Sequence, residues 1–249
     1  PELESYIRKI YGGEEYINGT FRWCLWLVNA PADLLRSCER LRKRIEEVKN
    51  FRLRSGREAT NALAVTPYLF GEIRQPSSTY LIIPKVSSET RSYIPIGFLP
   101  PEIIASGSAL VVPKATNFEF GVISSAMHMA WVKTVCGRMK SDYQYSSNIV
   151  YNNYPWPMEA SPVQREKVEE CAGQVLETRQ QYLDSGNTLA DLYDPLYMPA
   201  PLLKAHQALD RAVDRCYRSK PFKSERERVE FLFQLYEQIT SPLAPTASA

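Results

Sequence analysis

The sequence is poor in the residues from which common catalytic and metal sites are assembled. It holds only two histidines, His128 and His206, and neither has a cysteine, aspartate or glutamate at metal-ligand spacing. Both lie in helical patterns, so we interpret them as hydrogen-bonded packing residues. The sequence contains no Gly-x-Ser-x-Gly elbow and no phosphate-binding glycine loop. We therefore predict neither a catalytic residue nor a metal site in this sequence.

Paired cysteines and long hydrophobic runs are missing as well. The five cysteines are scattered and form no Cys-x-x-Cys pair, which is typical of reduced thiols in a cytoplasmic protein. No run approaches eighteen apolar residues, and the first residues do not form a charged-then-apolar leader. We therefore expect a cytoplasmic protein that makes no contact with a membrane.

The charge is nearly balanced, at a formal net +2, so any nucleic-acid binding must depend on how the charges are distributed. An amphipathic helix is predicted over residues 34–50, and it lies in the most basic stretch of the chain. For the helix itself, contact with DNA phosphates and a solvated face with Glu–Arg pairs are equally good interpretations. Arg52, Arg54 and Arg57 lie beyond it in a predicted Ser-Gly loop, and we predict that they contact DNA phosphates.

Short strands and helices alternate along the first part of the chain, which predicts an α+β fold. Asn18-Gly19 is a hairpin signal, and it precedes the apolar run 23–28, which we interpret as a strand buried on both faces. Further short strands, separated by prolines, are predicted at residues 80–83, 93–99 and 109–112.

A change in composition at Pro155-Trp156-Pro157 predicts a domain boundary. Residues 1–157 are expected to form a mixed domain with short strands and two long helices. Residues 158–240 carry helical apolar stripes and are expected to form a small all-α domain, followed by a disordered tail over residues 241–249.

The second long helix is predicted to begin at Thr116, where Glu119 completes a Ser/Thr-x-x-Glu capping box. Apolar residues then recur at spacings of three and four, and Gly137 is expected to end the helix with a left-handed cap. A short polar segment, residues 138–146, follows directly. A buried helix would therefore present this segment for directed hydrogen bonds.

Several blocks of this chain resemble one known family. The segment HMAWVKTVCGRMKSDYQYS, followed by IVYNNYPWP, is similar to the target-recognition region of the MmeI-like (type IIL) restriction–modification enzymes. Other matching blocks are GGEEYINGTFRWCLWL, VSSETRSYIPIGFL, TLADLYDPLYMP and LLKAHQALDRAVDRCY. The resemblance runs nearly from end to end, with the blocks in the same order.

The resemblance implies a DNA-recognition module of a longer enzyme that methylates adenine at N6 and cuts DNA at a distance. It implies double-stranded DNA and an N-terminal methyltransferase domain as partners. S-adenosylmethionine, and Mg for cleavage, would belong to the parent enzyme and not to this fragment. The alternative is a protein-interaction scaffold whose basic helix meets an acidic partner.

The site residues follow from the polar segment and the resemblance together. We expect Lys140 and Asp142 to point the same way from an extended segment, with Lys140 donating to guanine and Asp142 accepting from its paired cytosine. In the resembling family the matching positions act as such a pair, with lysine and aspartate in some members and glutamate and arginine in others. The alternative is a surface Lys–Asp ion pair.

Two further sets of DNA contacts are predicted. Base contacts are also expected from Gln144, Glu89 and Arg91. Besides the three arginines after the basic helix, contacts with the DNA backbone are expected from Lys85, Ser87, Ser88, Arg138 and Tyr145.

Overall fold

The computed structural model of the protein describes residues 3–241, so the predicted tail lies, apart from Ser241, outside the described residues. The architecture is α+β with a helical C-terminal part, which confirms the predicted fold class. The α-helices are α1 (Gly13–Asn18), α2 (Ala32–Ser37), α3 (Glu39–Leu53), α4 (Glu58–Ala62), α5 (Asn117–Ile123), α6 (Ala126–Val135), α7 (Pro162–Asp184), α8 (Leu189–Leu192), α9 (Ala200–Tyr217) and α10 (Glu225–Thr240). The strands are β1 (Ile7–Tyr11), β2 (Arg22–Leu25), β3 (Tyr80–Pro84), β4 (Val86–Ser87), β5 (Gly97–Leu99), β6 (Ile104–Ala105), β7 (Ala109–Pro113), β8 (Gly137–Met139) and β9 (Asp142–Gln144).

Within the described residues the strands form small sheets of three strands each. Their orders are β2-β1-β6, β5-β3-β7 and β4-β9-β8. The central strand β3 is buried along its whole length, and it pairs antiparallel with both β5 and β7. The third sheet joins β4 to a hairpin about fifty residues further along the chain. Long-range pairing therefore determines where each short strand lies.

The N-terminal hairpin prediction is wrong. Asn18 ends α1, and Gly19 caps that helix with φ 65° while its N–H donates to the carbonyl of Glu15. The predicted strand over residues 23–28 ends at Leu25 and lies at a sheet edge, where Trp23 is 61% exposed. An edge strand is covered only where it packs against the rest of the fold. The apolar run is therefore not buried on both faces.

The long helices are each broken in two. Cys38 adopts an extended conformation between α2 and α3. The capping box of Thr116 and Glu119 is confirmed at the start of α5, but Ser125 interrupts the helix because its hydroxyl accepts the N–H of His128 and caps α6. The predicted cap at Gly137 is wrong. Helix α6 ends at Val135, its C-cap residue Cys136 has φ −68°, and Gly137 begins a strand.

One hydrophobic core extends across the predicted domain boundary. Phe120 and Met127 of the first part pack in the same cluster as Val168 and Leu209 of the helical part. The buried guanidinium of Arg179 in α7 donates to the carbonyl of Ile96 at 2.6 Å, which ties the helices to the strand region. The two parts therefore support each other directly.

Both histidines are buried packing residues, as the sequence predicts. His128 shares a hydrogen bond of 2.9 Å with Tyr145, and His206 shares one of 3.0 Å with Tyr193. Burial lowers the pKa of each imidazole to about 3, so both are neutral at physiological pH. The buried carboxylate of Asp210 accepts the Tyr93 hydroxyl, and burial raises its pKa to about 6.

Gly121 sets how closely α5 approaches α7. A Cβ at this position would lie 2.7 Å from Val168 Cγ1 and 3.2 Å from Leu209 Cδ1. We expect Gly121→Ala to lower the free energy of unfolding by about 1–3 kcal/mol through overpacking. Gly173→Ala is the matched control in α7, where a Cβ would meet nothing within 4 Å, and we expect it to raise stability by up to about 1 kcal/mol. Chemical denaturation measures the free energy of unfolding of both variants. An increase for Gly121→Ala would show that α5 and α7 can move apart without loss of stability.

Candidate nucleic-acid interface

The predicted polar segment is a β-hairpin. Strands β8 and β9 pair antiparallel and are joined by a two-residue turn, Lys140-Ser141. Met139 lies opposite Asp142, and Arg138 lies opposite Tyr143. Because side chains alternate between the two faces of a strand, the first pair and the second pair point to opposite faces.

One face of the hairpin lines a cleft, which we call the hairpin cleft. Its volume is about 1160 Å³, and the hairpin contributes Met139, Asp142 and Gln144 to it. The opposite walls come from α1, β2, the β4 region and the segment after β9. They include Glu14, Asn18, Arg22, Arg74, Lys85, Ser88, Arg91 and Ser147. The cleft thus brings donors and acceptors together from segments far apart in the sequence.

The other face of the hairpin is fixed to the protein. The guanidinium of Arg138 lies 4.2 Å from the ring centroid of Tyr143 and donates to the carbonyl of Ser141 at 2.9 Å. It also lies 3.6 Å from a carboxylate oxygen of Glu89. Tyr143 itself is 4% exposed. The contacts with Tyr143 and Ser141 lie within the hairpin, whereas the burial of Tyr143, the Glu89 contact and the pairing of β9 with β4 hold the hairpin against the protein. Its other face is left open.

Lys140 and Asp142 are not arranged as predicted. The expected extended segment is interrupted, because Lys140 is the first residue of the turn and has φ 56°. Lys140 is exposed at the tip, whereas Asp142 is half-buried in the cleft wall. Among the described residues the two form no ion pair, so the alternative of a surface salt bridge is not present either. Positive φ is costly for a lysine, and glycine is usual at this position of a hairpin turn.

Two of the other predicted base-contacting residues, Gln144 and Arg91, line the same cleft, and the third, Glu89, does not. Gln144 is exposed and lines it, and Arg91 lines it from the opposite side. Burial lowers the pKa of Arg91, and the carboxylates of Asp142 and Asp194 oppose that shift. Glu89 is exposed beside Arg138. The cleft therefore presents both signs of charge.

The predicted backbone contacts divide into two groups. Lys85 lines the cleft while its amine donates to the carbonyl of Gly107, and the hydroxyl of Ser88 shares a hydrogen bond with Thr90. Ser87 is 2% exposed, and Tyr145 is 1% exposed with its hydroxyl bonded to His128. Both residues are largely buried although they border the cleft, and their contact with DNA stays a prediction.

The placement of Arg52 is also corrected. It lies in the last turn of α3 and not in a loop, and its guanidinium donates to the carbonyls of Leu63, Thr66 and Leu69 at 2.7–3.0 Å. These bonds use the donors that a phosphate contact would need. Arg54 and Arg57 are exposed and form no ion pair with any described residue.

Sequence reasoning missed several residues of the cleft. Asn18 and Arg22 line it from α1 and β2, and Met139 lines it from the hairpin. No local pattern could identify the first two, because they lie more than a hundred residues before the hairpin. Met139 could have been identified from the sequence, because it is the one large apolar residue between the start of the polar segment and Tyr143.

Residues 3–241 contain neither a metal-binding cluster nor a membrane-spanning helix. No group of three or more histidine, cysteine, aspartate or glutamate side chains is placed to hold a metal ion. No helix in the same range combines the length and the apolarity that a bilayer span requires.

The site consists of a hairpin beside a charged cleft, on an α+β scaffold supported by helices. Comparisons with known proteins identify the family of the chain. The profile described as "MmeI, target recognition domain" matches residues 1–158, and the one described as "MmeI, C-terminal domain" matches residues 160–244. The chain belongs to the MmeI family and comprises these two parts of it, as the sequence resemblance predicted.

Two relatives illustrate the similarity. The chain is 41% identical over 240 residues to DNA methyltransferase A of Bacillus subtilis (strain 168), and the match covers 96% of the chain and 27% of that protein. A solved structure of the type IIL restriction–modification enzyme MmeI in complex with DNA matches with a TM-score of 0.92 and 43% identity. That match covers 96% of the chain and 32% of MmeI. The chain therefore spans about a third or less of the length of these relatives.

Proposed function

We propose that this chain recognises a specific sequence in double-stranded DNA and positions that DNA for an N6-adenine methyltransferase domain. The catalytic domain would lie N-terminal to it in a longer enzyme, together with the S-adenosylmethionine site and any Mg-dependent nuclease. The observation that carries the proposal is the β8–β9 hairpin, which is held by its pairing with β4 and by buried Tyr143 and is open on the other face. The names of the two relatives, a DNA methyltransferase and a restriction–modification enzyme bound to DNA, support it.

The hairpin has the form of a major-groove reader. A two-stranded ribbon fits the groove, which is about 12 Å wide in B-DNA. Lys140 at the tip can donate to O6 and N7 of guanine, and Asp142 can accept from N4 of cytosine. Gln144, two residues further on the same face, suits the paired acceptor and donor of adenine. Glu89 and Arg91 would read a second part of the site.

Contacts with the DNA backbone would position the hairpin. Exposed Arg54 and Arg57, Lys85 and Ser88 in the cleft, and Arg138 on the opposite face of the hairpin are the residues we assign to phosphates. Arg52 is left out because its donors bind carbonyls of the protein. Large apolar side chains near the basic helix, Phe51 (75% exposed) and Val65 (84% exposed), support a contact with the methyltransferase domain.

Removing the two free arginines tests the backbone role. We expect Arg54→Ala with Arg57→Ala to weaken binding of the chain to all duplexes alike, because phosphate contacts carry no sequence information. The slope of log K against log salt should become shallower by about 2, since each lost contact accounts for about 0.9. Fluorescence anisotropy of a labelled duplex over a salt series measures both quantities.

Arg52→Ala is the internal control for this experiment. It removes three hydrogen bonds to protein carbonyls, so it should lower thermal stability and leave the salt slope of the folded chain unchanged. An unchanged slope in the Arg54/Arg57 variant would contradict the phosphate assignment. Methyl transfer to DNA by the chain alone would contradict the proposal that catalysis lies elsewhere.

A further inference from the structure

A rigid loop of the helical part exposes two large apolar side chains. Leu196 is 96% exposed and Tyr197 is 67% exposed. The loop is held by Asp194, whose carboxylate accepts the N–H of Leu196 at 2.8 Å and whose carbonyl accepts the N–H of Tyr197 and of Met198. Pro195 restricts the backbone further. The loop is thus ordered, and the exposed side chains contribute little to the core that it covers.

This loop borders the hairpin cleft. Arg91 lines that cleft and also a second hollow of about 670 Å³, whose other walls include Asn187, Leu196 and Tyr197. Helix α1, which forms one wall of the cleft, packs against α8, which leads into the loop. Arg91 also stands within electrostatic reach of Asp142 on the hairpin and of Asp194 in the loop. Hairpin and loop therefore rise from neighbouring parts of one surface.

The geometry of B-DNA relates these two elements. One face of the duplex presents the major groove and then the minor groove about half a helical turn, roughly five base pairs, further along. A protein surface that places a hairpin in the major groove therefore meets the minor groove beside it. We propose that Leu196 and Tyr197 contact the minor groove next to the base pairs read by the hairpin. This inference rests on the proposed function and assigns a role to the helical part.

The chemistry of the loop suits an apolar contact and not a phosphate contact. Residues 189–198 contain no lysine or arginine and include Asp191 and Asp194, whose carboxylates are repelled by the negative potential of the minor groove as well as by the phosphates. The apolar contact of Leu196 and Tyr197 therefore has to outweigh this repulsion. Leucine, in contrast, is among the apolar side chains that minor-groove binders insert against sugars and between base steps. A tyrosine adds a ring and one hydroxyl donor at the same place.

Dimethyl sulfate footprinting tests the loop and the hairpin separately. The reagent methylates guanine at N7, in the major groove, and adenine at N3, in the minor groove. The probe is a duplex that the chain selects from a random pool, with A·T pairs on both sides of the selected site. We expect the unaltered chain to protect guanine N7 within the site and adenine N3 about half a turn away.

Leu196→Ala with Tyr197→Ala should abolish the adenine N3 protection, retain the guanine N7 protection and weaken affinity about ten-fold, or about 1.4 kcal/mol. The matched control, Ile239→Ala, truncates a 60% exposed side chain on α10 and should change neither footprint. Because all three side chains are exposed, the melting temperatures should stay the same, which excludes misfolding.

The outcomes separate the two proposals. Guanine protection without any adenine protection, or adenine protection that survives the double substitution, overturns the loop contact and leaves the recognition function standing. If another domain of the longer enzyme covers the loop, the loop contact is likewise overturned and the recognition function stands. Failure to select any sequence, or the absence of guanine protection, overturns the proposed function itself.

Discussion

Exchanging the charges at the hairpin tip, Lys140→Glu with Asp142→Arg, is expected to invert one position of the recognised sequence from G to C. The glutamate would accept from N4 of cytosine, and the arginine would donate to O6 and N7 of the guanine on the other strand. Each contact discriminates by about 1–3 kcal/mol, so each wrong base should cost about five- to 150-fold in affinity. Mapping the methylated adenines made by the longer enzyme, by sequencing, measures the preferred site.

The structure supplies a matched control for this exchange. Lys114 is also exposed and has φ 58°, nearly the same as Lys140, but it follows β7 and is not part of the hairpin. Lys114→Glu therefore makes the same change of charge in the same backbone conformation and should leave the recognised sequence unaltered. An active double variant with an unchanged site would refute the assignment of Lys140 and Asp142.

Trp131→Ala is expected to produce the largest loss of stability, about 3–5 kcal/mol, because it leaves a cavity between α6 and α10. The indole is 3% exposed, lies 5.3 Å from the ring of Phe233 and 5.7 Å from that of Tyr236, and donates to the carbonyl of Val150 at 3.0 Å. The residue therefore joins the helix that precedes the hairpin to the last described helix. Chemical denaturation followed by circular dichroism measures the effect.

Trp131→Phe separates packing from hydrogen bonding. It keeps an aromatic ring but leaves the buried Val150 carbonyl without its donor, which costs about 1–3 kcal/mol. We expect a loss smaller than that of the alanine variant. If Trp131→Ala costs less than about 1 kcal/mol, the interface between α6 and α10 contributes little to the fold.

Some structural features that depend on a few neighbouring residues were predicted correctly from the sequence. The capping box at Thr116 is present because its pattern is satisfied within one turn. The buried state of both histidines also followed from their helical surroundings. The broken helices were harder to predict, since Ser125 could equally have remained in a continuous helix.

The features that were missed depend on distant partners. Arg52 was expected in solvent because the carbonyls that bind it lie 11 to 17 residues further on, in a segment without a clear pattern. The β8–β9 segment was expected to be merely extended, because its turn, Lys140-Ser141, lacks the glycine or asparagine that signals a hairpin, and its pairing with β4 is not encoded locally. Family resemblance identified the right segment of the cleft, but only the fold shows which side chains share a face.

The core that continues across Pro157 has a consequence for how such enzymes can acquire new specificities. A chimera joined at this residue would combine an α5 from one parent with an α7 from another, and Gly121, Val168 and Leu209 would no longer be matched in shape. To transfer recognition from one protein to another, the whole span from the first strand to α10 would then have to be exchanged. Within that unit, Lys140 and Ser141 at the hairpin tip are exposed, so their side chains can change without disturbing the core.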